Sequence, residues 1–104
     1  MRLAICLLLA AMAQAETGQE LFTRHCAICH AAAGEGSSGP DLTSPSWQSG
    51  VSDADLARII GQGAPGTAMP AFSGRLSAAD ITAVVAHLRT LAGQAIQPSN
   101  TLRA

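Results

Sequence analysis

Cys26-Ala27-Ile28-Cys29-His30 is the stretch of this chain whose residue types and spacing can do chemistry. It reads C-x-x-C-H, the attachment signature of a c-type haem. Two thiols three positions apart on one helical turn reach both vinyl groups of a haem edge and form thioethers. The histidine directly after the second thiol lies under the ring and offers a ring nitrogen to the iron. On this reading an iron porphyrin is the working part, and the polypeptide holds and tunes it.

The same five residues have plainer uses. Half of a zinc site is one, but four-coordinate zinc wants further Cys or His ligands at suitable spacing. The only other cysteine is Cys6, near the N-terminus, and the other histidines, His25 and His87, are isolated in sequence. A thioredoxin-like redox pair needs βαβ surroundings, and no strand pattern is visible. A disulfide between two cysteines on one helical turn would be strained. The trailing histidine and an export signal favour haem.

That signal is the N-terminus itself. Met1-Arg2 precedes an apolar run, Leu3 to Ala13, and Ala13-Gln14-Ala15 has the small-x-small form of a signal peptidase site. Residues 1–15 therefore read as a cleaved secretory signal, with the mature chain beginning at Glu16. The apolar run is shorter than the roughly 20 residues needed to span a bilayer, so no membrane span is expected in the mature chain. Export points to the periplasm, where the two cysteines can receive a haem.

Composition narrows the function further. A chain of 104 residues makes one domain, and its own core is marginal. Its aromatics are Phe22, Trp47 and Phe72, and much of the rest is alanine and glycine. Small side chains fill little volume, so a large apolar guest would complete the core, as a staple or metal does in other small scaffolds. There is no lysine, and the formal net charge is −1. Loss of Arg2 with the signal makes the mature polypeptide more acidic still. Without a basic cluster, nucleic acid is excluded as a partner. A lysine rim for docking acidic proteins is excluded as well.

The elements that must position these residues read as helices. Residues 18–30 form the first, with Thr17 and Glu20 as a capping box. Residues 33–50 are rich in Gly, Ser and Pro and read as loop. Ser52 caps a second helix with Asp53 and Asp55 in its first turn, and Gly61 and Gly63 end it. Pro65 and Pro70 bracket a loop over 64–72. Ser77 opens the last helix, along which Ile81, Val84, Val85, Leu88 and Leu91 recur at helical spacing, and Gly93 stops it. Residues 94–104 are a polar tail.

The second axial ligand is read as Met69. It is the only methionine beyond the signal and sits in a loop stiffened by two prolines. A neutral thioether opposite an imidazole raises the reduction potential. Most methionines simply fill gaps in a core. His25 precedes Cys26, so its side chain is expected to point away from the ring. His87 reads as a packing residue on the last helix.

With these residues in view, the chain resembles the class I c-type cytochromes, small His/Met-ligated electron carriers and cytochrome domains of bacteria. The likeness covers most of residues 16–92 and rests on Cys26, Cys29 and His30, on Met69-Pro70-Ala71-Phe72, and on Gly39-Pro40-Asp41-Leu42. The resemblance implies an all-α cytochrome c fold. Three to four helices and loops wrap one haem c, in a domain over 16–93. It implies that the Pro40 carbonyl accepts a hydrogen bond from His30, orienting the ring and raising its basicity. It implies a first helix crossing the last, with Gly18 permitting close approach and His87 standing where relatives carry an aromatic. It also implies that Trp47 and Arg58 contact the haem propionates, against plain packing for Trp47 and a solvated charge for Arg58.

The function expected from this reading is electron transfer by Fe(III)/Fe(II) cycling in a monomer, without catalysis. The partners expected are redox proteins, such as a periplasmic dehydrogenase or oxidase. Two alternatives stay open. One is a peroxidase-like or gas-binding haem protein in which Met69 leaves easily. The other is a dedicated cytochrome subunit of a periplasmic dehydrogenase or terminal oxidase.

Overall fold

The computed structural model describes residues 15–93. The signal read at residues 1–15 therefore lies, but for its last residue, outside the described residues, and so does the tail read at 94–104. Among the described residues there are five helical segments and no strand: α1 (Gly18–His25), α2 (Ala27–His30), α3 (Pro45–Ser49), α4 (Asp53–Gln62) and α5 (Ala78–Thr90). None is long and apolar enough to cross a membrane.

Local signals set most of these boundaries. The Thr17 hydroxyl accepts the Glu20 N–H at 3.1 Å, and the Glu20 carboxylate accepts the Thr17 N–H at 2.8 Å. Ser77 and Asp80 form the same reciprocal box at the start of α5, and the Ser52 hydroxyl caps α4. Each such cap is worth about 1 kcal/mol. The expected first helix is interrupted at Cys26, whose φ of −114° and ψ of −31° distort a right-handed turn and divide it into α1 and α2. Helix α4 runs through Gly61, which is buried, and ends at Gly63, whose φ of 81° suits glycine alone.

The segment 33–50 is not loop throughout. Ser44 caps α3 and Pro45 fills its first position, the arrangement proline favours at a helix start. Gln48, on α3, is buried, and its amide donates to the Leu42 carbonyl at 2.8 Å and the Leu88 carbonyl at 2.7 Å. Arg89 of α5 ties this corner shut. Its guanidinium donates to the Gln48 carbonyl at 2.6 Å, the Val51 carbonyl at 2.5 Å and the Asp53 carboxylate at 2.7 Å. Carbonyls left over at the end of α3 are thereby satisfied by charge-assisted bonds.

The core lies where α1 crosses α5, with α4 packed beside them. A Cβ at Gly18 would overlap the Ala83 carbonyl, so only glycine permits this approach. Phe22, fully buried, fills the crossing and meets the His87 ring at 5.3 Å between centroids. His87 thus takes the place where an aromatic is expected.

Burial at this crossing lowers the His87 pKa below the ordinary imidazole value of about 6.5. The unfolded chain therefore binds more protons there than the folded one between the lowered value and the ordinary one. Stability contributed at this site rises with pH through that window and is lost below it. His87→Phe is expected to keep the packing and remove this sensitivity. The drop in unfolding free energy from roughly pH 7.5 to pH 5 should be smaller in the variant than in the wild type. Equal drops in the two proteins would contradict the assignment.

Candidate functional site

A cavity of about 360 Å³ opens beside this core. Its inner wall is built from core side chains: Phe22 of α1, Leu56 and Ile60 of α4, and Val84 and Leu88 of α5. Cys26, Cys29 and His30 line one side, Pro40, Leu42 and Trp47 another, and Met69, Pro70 and Phe72 come from the loop after α4. Six of the seven residues singled out in the sequence therefore line one space.

His30 is buried, and its Nδ1 lies 2.9 Å from the Pro40 carbonyl oxygen. A carbonyl only accepts, so Nδ1 carries the proton and donates, and the Nε2 lone pair is left for a metal. Beneath the ring runs Gly39, whose N–H donates to the Cys29 carbonyl at 2.6 Å. A Cβ at position 39 would sit 2.8 Å from His30 Cε1 and 3.0 Å from Nδ1. Gly39 is thus the floor that lets the imidazole lie flat against the loop. The Gly-Pro pair carries this information in the sequence, although only its proline was assigned a role there.

Cys26 and Cys29 are both unpaired, half-buried thiols. Burial pushes the Cys26 thiol up to about 11, and Cys29 beside it adds to the shift. Among the described residues no group of three or more His, Cys, Asp or Glu side chains is placed to hold a metal ion. Cys26, Cys29 and His30 therefore do not converge on a zinc site. They match the donors that haem c uses.

Met69 is partly buried and packs on the core. Gly63 sets its loop: a Cβ there would come within 3.0 Å of the Met69 carbonyl oxygen. Trp47 sits at the rim with 38% of its surface exposed, and Ile28, between the cysteines, is 83% exposed. Arg58 does not line the cavity. It is exposed on α4, 3.4 Å from Asp55 one turn back, and that pairing accounts for where it sits. His25, expected to point away, lines the cavity instead, its ring set edge-on to Phe72 at 5.9 Å. His25 lies three residues after Phe22 on α1, so the two share the helix face that meets the cavity. His87 packs on Phe22 rather than lining the cavity.

Residues 13–88 match the family described as cytochrome c oxidase, cbb3-type, subunit III. The chain belongs to this family of c-type cytochromes. It is 42% identical over 88 residues to dihydro-heme d1 dehydrogenase of Pseudomonas aeruginosa, a match covering 83% of this chain and 18% of that protein. It is 35% identical over 82 residues to the cbb3-type cytochrome c oxidase subunit FixP of Azorhizobium caulinodans, covering 76% of this chain and 28% of the relative. Among solved structures, the c-type cytochrome NirC superposes with a TM-score of 0.63 at 32% identity, covering 72% of this chain and 89% of that one. The chain thus spans less than a third of these two curated relatives and most of NirC.

The cofactor of this c-type cytochrome is covalently bound haem c, and the cavity residues fit it. Cys26 and Cys29 are the thiols that would carry it, and His30 is already held in the tautomer that can bind iron. Gly39→Ala should push the imidazole off the Pro40 carbonyl. The expected result is about 1–3 kcal/mol lost in denaturant unfolding, with less haem retained per protein by absorbance. Ser37→Ala, at an exposed neighbouring position outside the cavity lining, should behave as wild type.

Proposed function

We propose that this cytochrome is a single-electron carrier whose haem iron would be held by His30 and Met69. The observation that carries this reading is that both side chains line one apolar cavity together with both cysteines. The haem supplies Fe(III)/Fe(II) cycling. The chain's own residues do the rest. Pro40 fixes the orientation and tautomer of the imidazole. The neutral thioether of Met69 favours the ferrous state. The apolar wall of Phe22, Leu56, Ile60, Val84 and Leu88 excludes water, which also favours ferrous iron.

With His30 and Met69 both holding the iron, the domain would pass electrons and transform no substrate. Trp47 stands at the cavity rim, where its indole N–H can meet a propionate. Arg58, paired with Asp55 away from the cavity, is not needed for that role in this reading. The leader-like sequence of residues 1–15 supports export to the periplasm, where respiratory redox proteins are the natural partners. The relatives support a second form of the same function. In the dihydro-heme d1 dehydrogenase and the cbb3-type oxidase subunits, the matched stretch is a minor part of a larger redox protein. A dedicated partnership with one dehydrogenase or oxidase is therefore a close variant of the free carrier, and co-purification from the native host separates the two.

Redox titration of the wild type against Met69→Ala tests the ligand assignment. The variant should lose the methionine-to-iron charge-transfer band, turn high-spin or water-ligated, and bind carbon monoxide when reduced. Its potential should fall by on the order of 100 mV, roughly a fiftyfold loss of preference for ferrous iron at 59 mV per decade. An unchanged spectrum and potential would remove Met69 from the iron. Carbon monoxide binding by the reduced wild type would favour the gas-binding alternative.

A further inference from the structure

Thr67 ties the backbone of Met69 to the turn that precedes it. Its hydroxyl donates to the Ala64 carbonyl at 2.7 Å and accepts the Met69 N–H at 3.2 Å. The direction of both bonds is fixed, because a carbonyl only accepts and an amide N–H only donates. The turn is closed a second time by the Ala64 N–H, which donates to the Met69 carbonyl at 3.3 Å, and by the Thr67 N–H, which donates to the Ala64 carbonyl at 3.1 Å. Pro65 and Pro70, lacking N–H groups, cannot add ladder bonds here. Among the described residues, Thr67 supplies the side-chain hydrogen bonds within this loop.

We infer that Thr67 is a positioning residue that holds Met69 at the iron and so sets how easily a small neutral ligand displaces it. The inference rests on the reading of Met69 as axial ligand. A competing ligand binds only the fraction of molecules in which the thioether has swung away, so its apparent affinity scales with that fraction. Removing the hydroxyl releases the Met69 N–H to water and leaves the Ala64 carbonyl with the Thr67 N–H alone. The loop is exposed at Thr67, so the net effect of losing such bonds is modest, roughly a five- to tenfold rise in the open fraction. In this way one hydroxyl shifts the balance between a closed carrier and a haem that accepts outside ligands.

The test uses the haem-loaded ferric protein titrated optically with imidazole, with the methionine-to-iron charge-transfer band followed in parallel. Thr67→Val and Thr67→Ala should bind imidazole roughly five- to tenfold more tightly than wild type while retaining haem. Thr67→Ser, which keeps the hydroxyl, should match wild type. Met69→Ala should bind more tightly than any of them. If both hydroxyl-free variants titrate like wild type while Met69→Ala does not, the role of Thr67 is overturned and the ligand assignment stands. If Met69→Ala also titrates like wild type, Met69 is not the ligand and both claims fall. A lowered unfolding midpoint in Thr67→Val or Thr67→Ala with unchanged imidazole affinity would also overturn the positioning role.

Discussion

The polypeptide leaves a hole in its own core, and the rest of the structure depends on filling it. Phe22, Leu56, Ile60, Val84 and Leu88 serve at once as core and as cavity wall. The cavity of about 360 Å³ opens on solvent, so without a guest its apolar wall would face water. Haem is therefore as much a structural component as a redox centre, and covalent attachment keeps the core from being emptied by simple dissociation.

Around that space the polar groups are arranged to fix the donors. The Pro40 carbonyl determines which nitrogen of His30 carries the proton, and Gly39 leaves the ring room to reach it. Gln48 and Arg89 hold the neighbouring wall from the other side by satisfying the carbonyls of Leu42, Leu88 and Val51. Such bonds cost little to make and much to break once buried. The wall that carries Leu42 and Trp47 is thus anchored to α5 without filling the cavity with side chains.

Much of this was legible in the sequence where the signal is local. The Thr17–Glu20 and Ser77–Asp80 boxes depend on residues three apart, and the attachment motif spans five. The crossing of α1 and α5 could be read from Gly18 and Phe22 because close approach needs a missing Cβ and a filler beside it. Helix α3 was hidden because Gly, Ser and Pro dominate its surroundings, although Ser44-Pro45 is a legitimate start signal. The Gln48–Arg89 contact was out of reach, since 41 residues separate its partners and neither carries a motif. The cavity-side position of His25 follows from its place three residues after Phe22 on α1, on the same helical face. The carriage of Met69 by Thr67 is a similar case: the Thr-x-Met spacing was present, but a hydroxyl in a Pro-rich loop has many uses until its partners are seen.

Intact-mass analysis of the exported protein, with a thiol count after denaturation, tests the central claim most directly. The account predicts one haem added per chain and no reactive thiol at Cys26 or Cys29. A folded, colourless protein of polypeptide mass, with both thiols free, would contradict it.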